Sequence, residues 1–325
     1  MKNLIGIDIG GTKCAVIYGS ELDGQINILQ REAFSTIIGK PYENIDNFIK
    51  IITSWQKSGI IVDFGDIYAI GISCGNPIDI KNGIIKSPPN LIGWDDIAIV
   101  EKLKNSFGIP TFIQCDANAC AIAEHKYGAG KNSQNMVFLT FGTGFGAGII
   151  INEKIYNGSG FMAGEVGHVR ISEDGPVGFG KAGSAEGFCS GGGIAQIGKK
   201  IALSYLQVGK SVDFCKNIDE IEQINAKNIA ISAKKGDFAA KKVYEISGKY
   251  LGRTLAILID LLNPDKIVIG SIYERSHDLM DKFMYEEIEK EAIASSANIC
   301  EIVPAKLGDQ LGDIAALSVA AFKGE

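Results

Sequence analysis

The sequence predicts an α/β chain built as two lobes. Short apolar, strand-like runs alternate with longer helix-like segments from end to end. A strand–glycine turn–strand unit opens the chain and returns near its middle. The length of 325 residues also exceeds what one hydrophobic core usually serves. Repetition of a single unit argues for a duplicated architecture rather than a solenoid, whose period would be about 20–50 residues.

The first unit is LIGIDIG (4–10), the turn GTK and the run CAVIYG (14–19). A helical pattern around 43–58 and the strand IYAIGIS (67–73) follow. A second helix around 96–107 stops at Gly108 and Pro110, residues that end helices readily. TFIQC (111–115) reads as a strand and ANACAIAEHKYG (117–128) as a helix ending at glycine. The second unit is MVFLTFG (136–142), TGFGAG and IIINE (149–153). Beyond a glycine-rich stretch the chain turns helical at 191–207, 218–234 and 237–262, the last closing at Asn263-Pro264. KIVIG (266–270) and CEIV (300–303) are strands, and GDIAALSVAAF (312–322) is a closing helix.

Composition narrows the function. Apolar residues make up 46% and charged residues 22%, the proportions of a globular protein. A net charge of −6 argues against nucleic-acid binding, which needs a basic face. It leaves a nucleotide ligand open, because backbone N–H groups hold phosphates without side-chain charge. The seven cysteines are odd in number and scattered, without a C-x-x-C pair, as in reduced cytoplasmic proteins. The N-terminus lacks a signal-peptide pattern. The most apolar stretch, LAILIDLL (255–262), is too short to span a bilayer and contains Asp260. A cytoplasmic protein with no membrane partner is expected.

Four stretches carry chemistry. DIGGTK (8–13) puts an acid, Asp8, beside Gly10, Gly11, Thr12 and Lys13. Glycines let the backbone approach a phosphate, a hydroxyl donates to its oxygens, and an acid there serves magnesium, often through water. By itself this pattern also fits an ordinary Gly-Gly hairpin. FGTGFGAG (141–148) repeats it with Gly142, Thr143 and Gly144. It matches neither the Walker loop nor the dinucleotide G-x-G-x-x-G, because it turns back into a strand. Two such loops facing each other across a cleft are the nucleotide clamp of actin-like ATPases. CDANACAIAE (115–124) places Asp116 at a strand–helix junction, where a carboxylate can take a proton from a hydroxyl or cap the helix. GEVGHV (164–169) sets Glu165 and His168 three apart, with Glu186 beyond the glycine-rich loop; polyols bind such clusters of carboxylates and imidazoles.

DIGGTK, PNLIGW (89–94), CDANA, FGTGFGAGI, NGSGFMAGEVGHV (157–169) and EGFCSG (186–191) stand in the order seen in the ROK family, and the chain resembles that family over nearly its whole length. ROK proteins are bacterial sugar kinases and sugar-responsive repressors related to glucokinase. The resemblance implies the two-lobe actin-like, ribonuclease H-like fold. A small lobe of 1–118 plus 305–325 and a large lobe of 119–304 are expected, with ATP, magnesium and a hexose as ligands. It implies Asp116 as catalytic base, Asn90, Glu165, His168 and Glu186 as further sugar ligands, and a homodimer through the large lobe. Asp8, Gly10, Gly11, Thr12 and Lys13, with Gly142, Thr143 and Gly144, would hold the phosphates.

Three departures from the family pattern stand out. Cys115 replaces the asparagine that usually precedes the catalytic aspartate, and the late adenosine motif is reduced to GSIYERS (270–276). Where the family reads C-x-C-G-x-x-G-C-x-E, this chain reads V-G-F-G-K-A-G-S-A-E (177–186), so the thiolates of a structural zinc site are gone and no such zinc is expected. Packing of Val177 and Phe179 is expected to take over the metal's role, with a backbone carbonyl in 176–184 fixing the His168 ring. The functional expectation is an ATP-dependent kinase of a hexose or N-acetylhexosamine acting at the 6-hydroxyl. The rival is a sugar-binding sensor with weak or no kinase activity. A repressor would need a helix-turn-helix ahead of the first strand, and three residues precede Leu4.

Overall fold

The computed structural model describes residues 1–324, in two compact units that interleave along the chain. Met1–Gln134, Gly148–Gly164 and the C-terminal segment from Lys306 form the first unit. Asn135–Ala147 and Glu165–Ala305 form the second.

The first unit opens with β1 (Lys2–Ile9), β2 (Lys13–Leu22) and β3 (Gln25–Ser35), an antiparallel meander. Helix α1 (Pro41–Lys57) begins with proline at its first position, where no N–H is needed, and buries Ile45, Phe48, Ile52 and Trp55 along one stripe. β4 (Ile67–Cys74) then pairs parallel to β1. The small ribbon of β5 (Ile78–Asp79) and β6 (Ile84–Ile85) leads to α2 (Ile99–Phe107). β7 (Thr111–Cys115) and α3 (Asp116–Tyr127) complete this part. The sheet order is β3-β2-β1-β4-β7. β1 and β4 are apolar on both faces because helices cover both, as parallel strands require.

The second unit starts at β8 (Met136–Phe141). β9 (Phe145–Ile151) follows, its residues from Gly148 on belonging with β10 (Lys154–Ile155) to the first unit; back in the second unit the chain forms the hairpin β11 (Val177–Gly178) and β12 (Lys181–Ala182). Its helices are α4 (Ala185–Phe188), α5 (Gly191–Leu206), α6 (Ala226–Lys234) and α7 (Phe238–Leu262). After β13 (Lys266–Ile269) come α8 (Ile272–Ser276), α9 (Asp281–Glu291), α10 (Ala294–Ala297) and β14 (Glu301–Pro304). The second sheet runs β10-β9-β8-β13-β14. α7 is started by the Asp237 side chain, which accepts the Ala240 N–H at 2.7 Å, and ended by Asn263 in the left-handed region.

The chain returns to the first unit with α11 (Leu311–Phe322), buried almost all round against β1, β4 and α3. Its close seating requires Gly71, where a Cβ would lie 2.3 Å from the Ala316 carbonyl oxygen. Several sequence expectations need adjustment. The segment 25–35 is a strand, with alternate residues half-buried. The stretch 218–234 is broken into a 3-10 turn at Ile218–Gln223 and α6, because Asn225 caps a fresh helix. α9 carries mostly charged residues, so its helical pattern was not apparent from apolar spacing.

Candidate active site

In the first unit the acidic residues sit at the C-terminal ends of parallel strands. Asp8 on β1 lies opposite Ser73 on β4, and Cys74 at the end of β4 lies opposite Cys115 at the end of β7. Asp116 follows directly, opening α3; its side chain is exposed, and Oδ1 accepts the Ala117 N–H at 2.7 Å. Burial pushes the Asp8 carboxyl up to about 6, with the Asp116 and Asp313 carboxylates adding to the rise and the Arg31 guanidinium opposing it. Oxygen donors carrying surplus negative charge are what a magnesium ion binds, so Asp8 fits the metal-holding role. Cys115 turns into the apolar core at 3% exposure, away from the role its asparagine counterpart would have.

The first glycine turn is held from outside. Gly10 donates its N–H to the Lys13 carbonyl at 3.1 Å. The Thr36 hydroxyl donates to the Gly10 carbonyl at 2.6 Å, and the Thr36 N–H donates to the Thr12 carbonyl at 3.0 Å. Gly11 has no room for a side chain, since a Cβ would lie 2.4 Å from the Asn90 carbonyl oxygen. Thr12 and Lys13 point to the surface. Asn90 is exposed, with its side-chain oxygen 3.0 Å from where a Cβ on Gly75 would be. Beside it opens a cavity of about 260 Å³ lined by Gly11, Thr36, Ile38, Asn90, Ile92 and Trp94, among others.

In the second unit the turn Gly142–Gly144 joins β8 to β9. Gly142 donates its N–H to the Gly144 carbonyl at 3.1 Å and accepts from the Gly191 N–H at 2.8 Å, so the start of α5 sits on the turn. Ser190 caps that helix by accepting the Gly193 N–H at 3.0 Å. Ser271, at φ 64°, begins α8 with its hydroxyl 3.3 Å from a Cβ built on Gly142. Helix starts present N–H groups and partial positive charge, which suit phosphate oxygens. Gly191 and Ser271 were not singled out from the sequence as phosphate neighbours, although both lie in quoted motifs.

The sugar-ligand candidates gather around the same turn. Glu186 accepts the Phe145 N–H at 3.1 Å through Oε2. Glu165 precedes a single 3-10 turn, Val166–His168, in which His168 donates its N–H to the Glu165 carbonyl at 3.1 Å. Gly167 presses this turn onto β9, a Cβ there falling 2.0 Å from the Phe145 carbonyl oxygen and 3.3 Å from the Glu186 Cβ. Glu165 and His168 are exposed. Each unit thus brings its own predicted set together: Asp8, Gly10–Lys13, Asn90 and Asp116 in the first, Gly142–Gly144, Glu165, His168 and Glu186 in the second.

The glycine-rich loop corrects one expectation. Val177 and Phe179 do not pack inside it; they are 48% and 69% exposed. The loop is a two-residue β-hairpin whose turn residues, Phe179 and Gly180, both have positive φ, as a tight hairpin turn requires. Polar contacts hold it. The buried Ser184 hydroxyl, at the last of the three former thiolate positions, accepts the Gly187 N–H at 3.2 Å and donates to the Gly178 carbonyl at 3.4 Å. Gln196 brackets Val177, accepting its N–H at 2.9 Å and donating to its carbonyl at 2.8 Å. The His168 ring meets the Phe179 ring edge-on at 5.8 Å rather than a loop carbonyl, and the His168 carbonyl accepts from the Lys181 ammonium at 2.7 Å.

Comparison with known proteins identifies the family. The ROK family profile matches residues 4–322. The glucokinase of Halalkalibacterium halodurans is 30% identical, over 95% of this chain and 92% of the relative. The xylose repressor of Bacillus spizizenii is 29% identical, over 94% of this chain and 73% of its own length. Among solved structures, a ROK family glucokinase from Streptomyces griseus in complex with glucose and AMPPNP aligns over 98% of this chain and 99% of its own, with a TM-score of 0.75 at 26% identity. The relatives are thus a glucokinase and a xylose repressor, the fold is that of the actin-like ATPases, and this chain belongs to the ROK family.

Proposed function

We propose that this protein is an ATP-dependent kinase that phosphorylates a hexose or N-acetylhexosamine at its 6-hydroxyl. The observation that carries the reading is the placement of Asp8 near the end of β1 and of Asp116 directly after the end of β7, in one sheet, where after burial the Asp116 charge is a further cause that raises the Asp8 carboxyl. A sugar-binding module needs no such pair. A phosphoryl-transfer enzyme needs one acid for a cation and one for a proton.

Asp116, exposed at the head of α3, takes the proton of the sugar hydroxyl. The hydroxyl oxygen forms a bond to the γ-phosphorus of ATP, the bond from that phosphorus to the β–γ bridging oxygen breaks, and ADP leaves. Asp8 would hold magnesium, which when bound neutralises charge on the phosphates. Glu165, His168 and Glu186, with Asn90, orient the sugar, and the glycine turns at 10–13 and 142–144 hold phosphate oxygens. Positioning and electrostatics supply most of the rate in such a reaction, so no covalent nucleophile is needed. The cavity beside Asn90 leaves space for a ring substituent, which keeps N-acetylhexosamines beside simple hexoses as substrates. We place the enzyme in the cytoplasm, as a homodimer; light scattering from a sizing column would read the latter directly.

A coupled assay of ADP release over about a dozen hexoses and their derivatives tests the reading. Sugar-dependent ADP release with at least one of them is expected. The likeness to xylose repressors favours a second reading, a sugar-responsive sensor. Sugar binding by calorimetry with no ADP released from any of these sugars would replace the kinase by that sensor.

A further inference from the structure

Beneath Asp116 lies a closed set of three side-chain amides. Gln114, the residue before Cys115, is fully buried and Asn118, two residues after Asp116, is 1% exposed. The Gln114 Oε1 accepts two hydrogen bonds, from the Cys115 N–H at 2.9 Å and from the Asn118 Nδ2 at 3.1 Å. It therefore clamps the last residue of β7 to the first turn of α3. The Gln114 Nε2 donates to the Asn157 Oδ1 at 3.0 Å and to the Gly324 carbonyl at 3.1 Å. The second Asn118 N–H reaches the same Asn157 Oδ1 at 3.0 Å. One oxygen, on a residue far away in the sequence, thus closes the ring.

A primary amide has two donors and a carbonyl with two acceptor sites. Gln114 uses all four, and Asn118 uses both of its donors. The buried Asn118 Oδ1 has no partner among the described residues, so it is the shared donors that fix the rotamers: turning any one amide leaves buried donors unmet. The clamp spans Gln114 to Asn118, and Asp116 is the residue in the middle of that span. Its side chain is exposed, while the backbone N–H before it, on Cys115, and the Asn118 side chain after it are both held by Gln114.

We propose that Gln114, Asn118 and Asn157 are positioning residues that set where the Asp116 carboxylate stands relative to the sugar hydroxyl. The proposal rests on the kinase reading for Asp116. None of the three touches substrate in this scheme. They act by holding the strand-to-helix junction, and a displacement of the order of 1 Å at a reacting group costs roughly 100-fold in rate.

Asn157 is the residue to change, since it lies outside β7 and α3 and contributes one acceptor atom to both amides. Asn157→Asp keeps that oxygen and its lone pairs; Asn157→Leu keeps the approximate volume and removes the acceptor. For Asn157→Leu, kcat should fall about 10- to 100-fold with the KM for ATP within about twofold of wild type, and Asn157→Asp should restore kcat to within about threefold. Melting curves and hydrogen exchange of the Cys115 amide are recorded on the same samples. Faster exchange at Cys115 in Asn157→Leu but not in Asn157→Asp is expected. Equal kcat in wild type and Asn157→Leu overturns the proposal, as does an equal loss in both variants. If Asn157→Leu does not fold, Asn157→Ser takes its place under the same criteria. A wild-type protein that phosphorylates no sugar is a failure of the kinase reading instead, and unchanged Cys115 exchange in Asn157→Leu would then still refute the clamp.

Discussion

At residues 10–13 the glycine turn is tied down by a hydroxyl, Thr36, and abuts the Asn90 backbone; at 142–144 the equivalent turn is tied to the start of α5 and is followed by Phe145, whose N–H a carboxylate, Glu186, accepts. Both are strand–turn–strand units, and both leave their threonine, Thr12 or Thr143, at the surface. The surroundings divide the proposed labour. The first turn shares a sheet end with Asp8 and Asp116, the residues proposed to handle a cation and a proton. The second lies beside the Glu186 contact on β9, so the proposed sugar ligand also shapes the proposed phosphate loop. Duplicated backbone geometry has been fitted with different side-chain braces, and the braces carry the specialisation.

That division can be broken by mutation. The largest effect is expected on the first side. Asp116→Asn keeps the shape and removes the basicity, and loss of a positioned general base lowers kcat by about 10²–10⁴-fold. Sugar affinity measured by calorimetry should hardly change, and a variant with more than half the wild-type kcat would take Asp116 out of the chemistry. On the second side the effect should fall on binding. Glu186→Ala removes a charged acceptor from the Phe145 N–H and should raise the KM for both sugar and ATP by about 10- to 100-fold, whereas Glu165→Gln should raise the sugar KM alone. An unchanged KM for ATP in Glu186→Ala would separate the sugar ligand from the loop.

The Asp8 carboxyl offers a pH test. Its value in the folded protein is raised to about 6 from 3.8, so the native state binds the proton more tightly than the unfolded chain does. The associated stability is present below about pH 4 and is lost as pH rises through about 6, amounting to at most about 3 kcal/mol. Asp8→Asn should therefore melt higher than wild type near pH 7.5 without magnesium. Added magnesium should stabilise wild type near pH 7.5, have little effect near pH 4.5, and do nothing for Asp8→Asn. Equal stabilisation of both proteins by magnesium would remove the metal from Asp8.

The smallest effect compares the turns directly. Gly11→Ala drives a methyl to 2.4 Å from the Asn90 backbone, which cannot easily retreat, and should cost about 1–3 kcal/mol. At Gly144 the new methyl meets the Glu186 carboxylate at 3.0 Å, the end of a flexible side chain, so the stability cost should be lower. Melting temperatures in the opposite order would mean that the first turn is the softer of the two.

The alternation of strands and helices and the two glycine turns are legible because they are local; the candidate site residues are named from the order of the family's motifs. Apolar spacing reports which face of an element is buried, and a glycine run reports where the backbone must come close to something. Strand β3 and helix α9 were missed because their apolar residues are few and are completed by neighbours. The glycine-rich loop shows the limit most sharply. The missing thiolates can be read directly, and the pattern suggests packing of Val177 and Phe179 in their place, whereas the contacts that hold the loop come from the Ser184 hydroxyl and from Gln196, a residue 19 positions from its partner Val177. Likewise nothing in the sequence joins Asn157 to Gln114, 43 positions away. Patterning along one chain determines what each segment can bury. Which distant amide or hydroxyl completes a buried polar group depends on where the chain returns, and only the tertiary structure decides that.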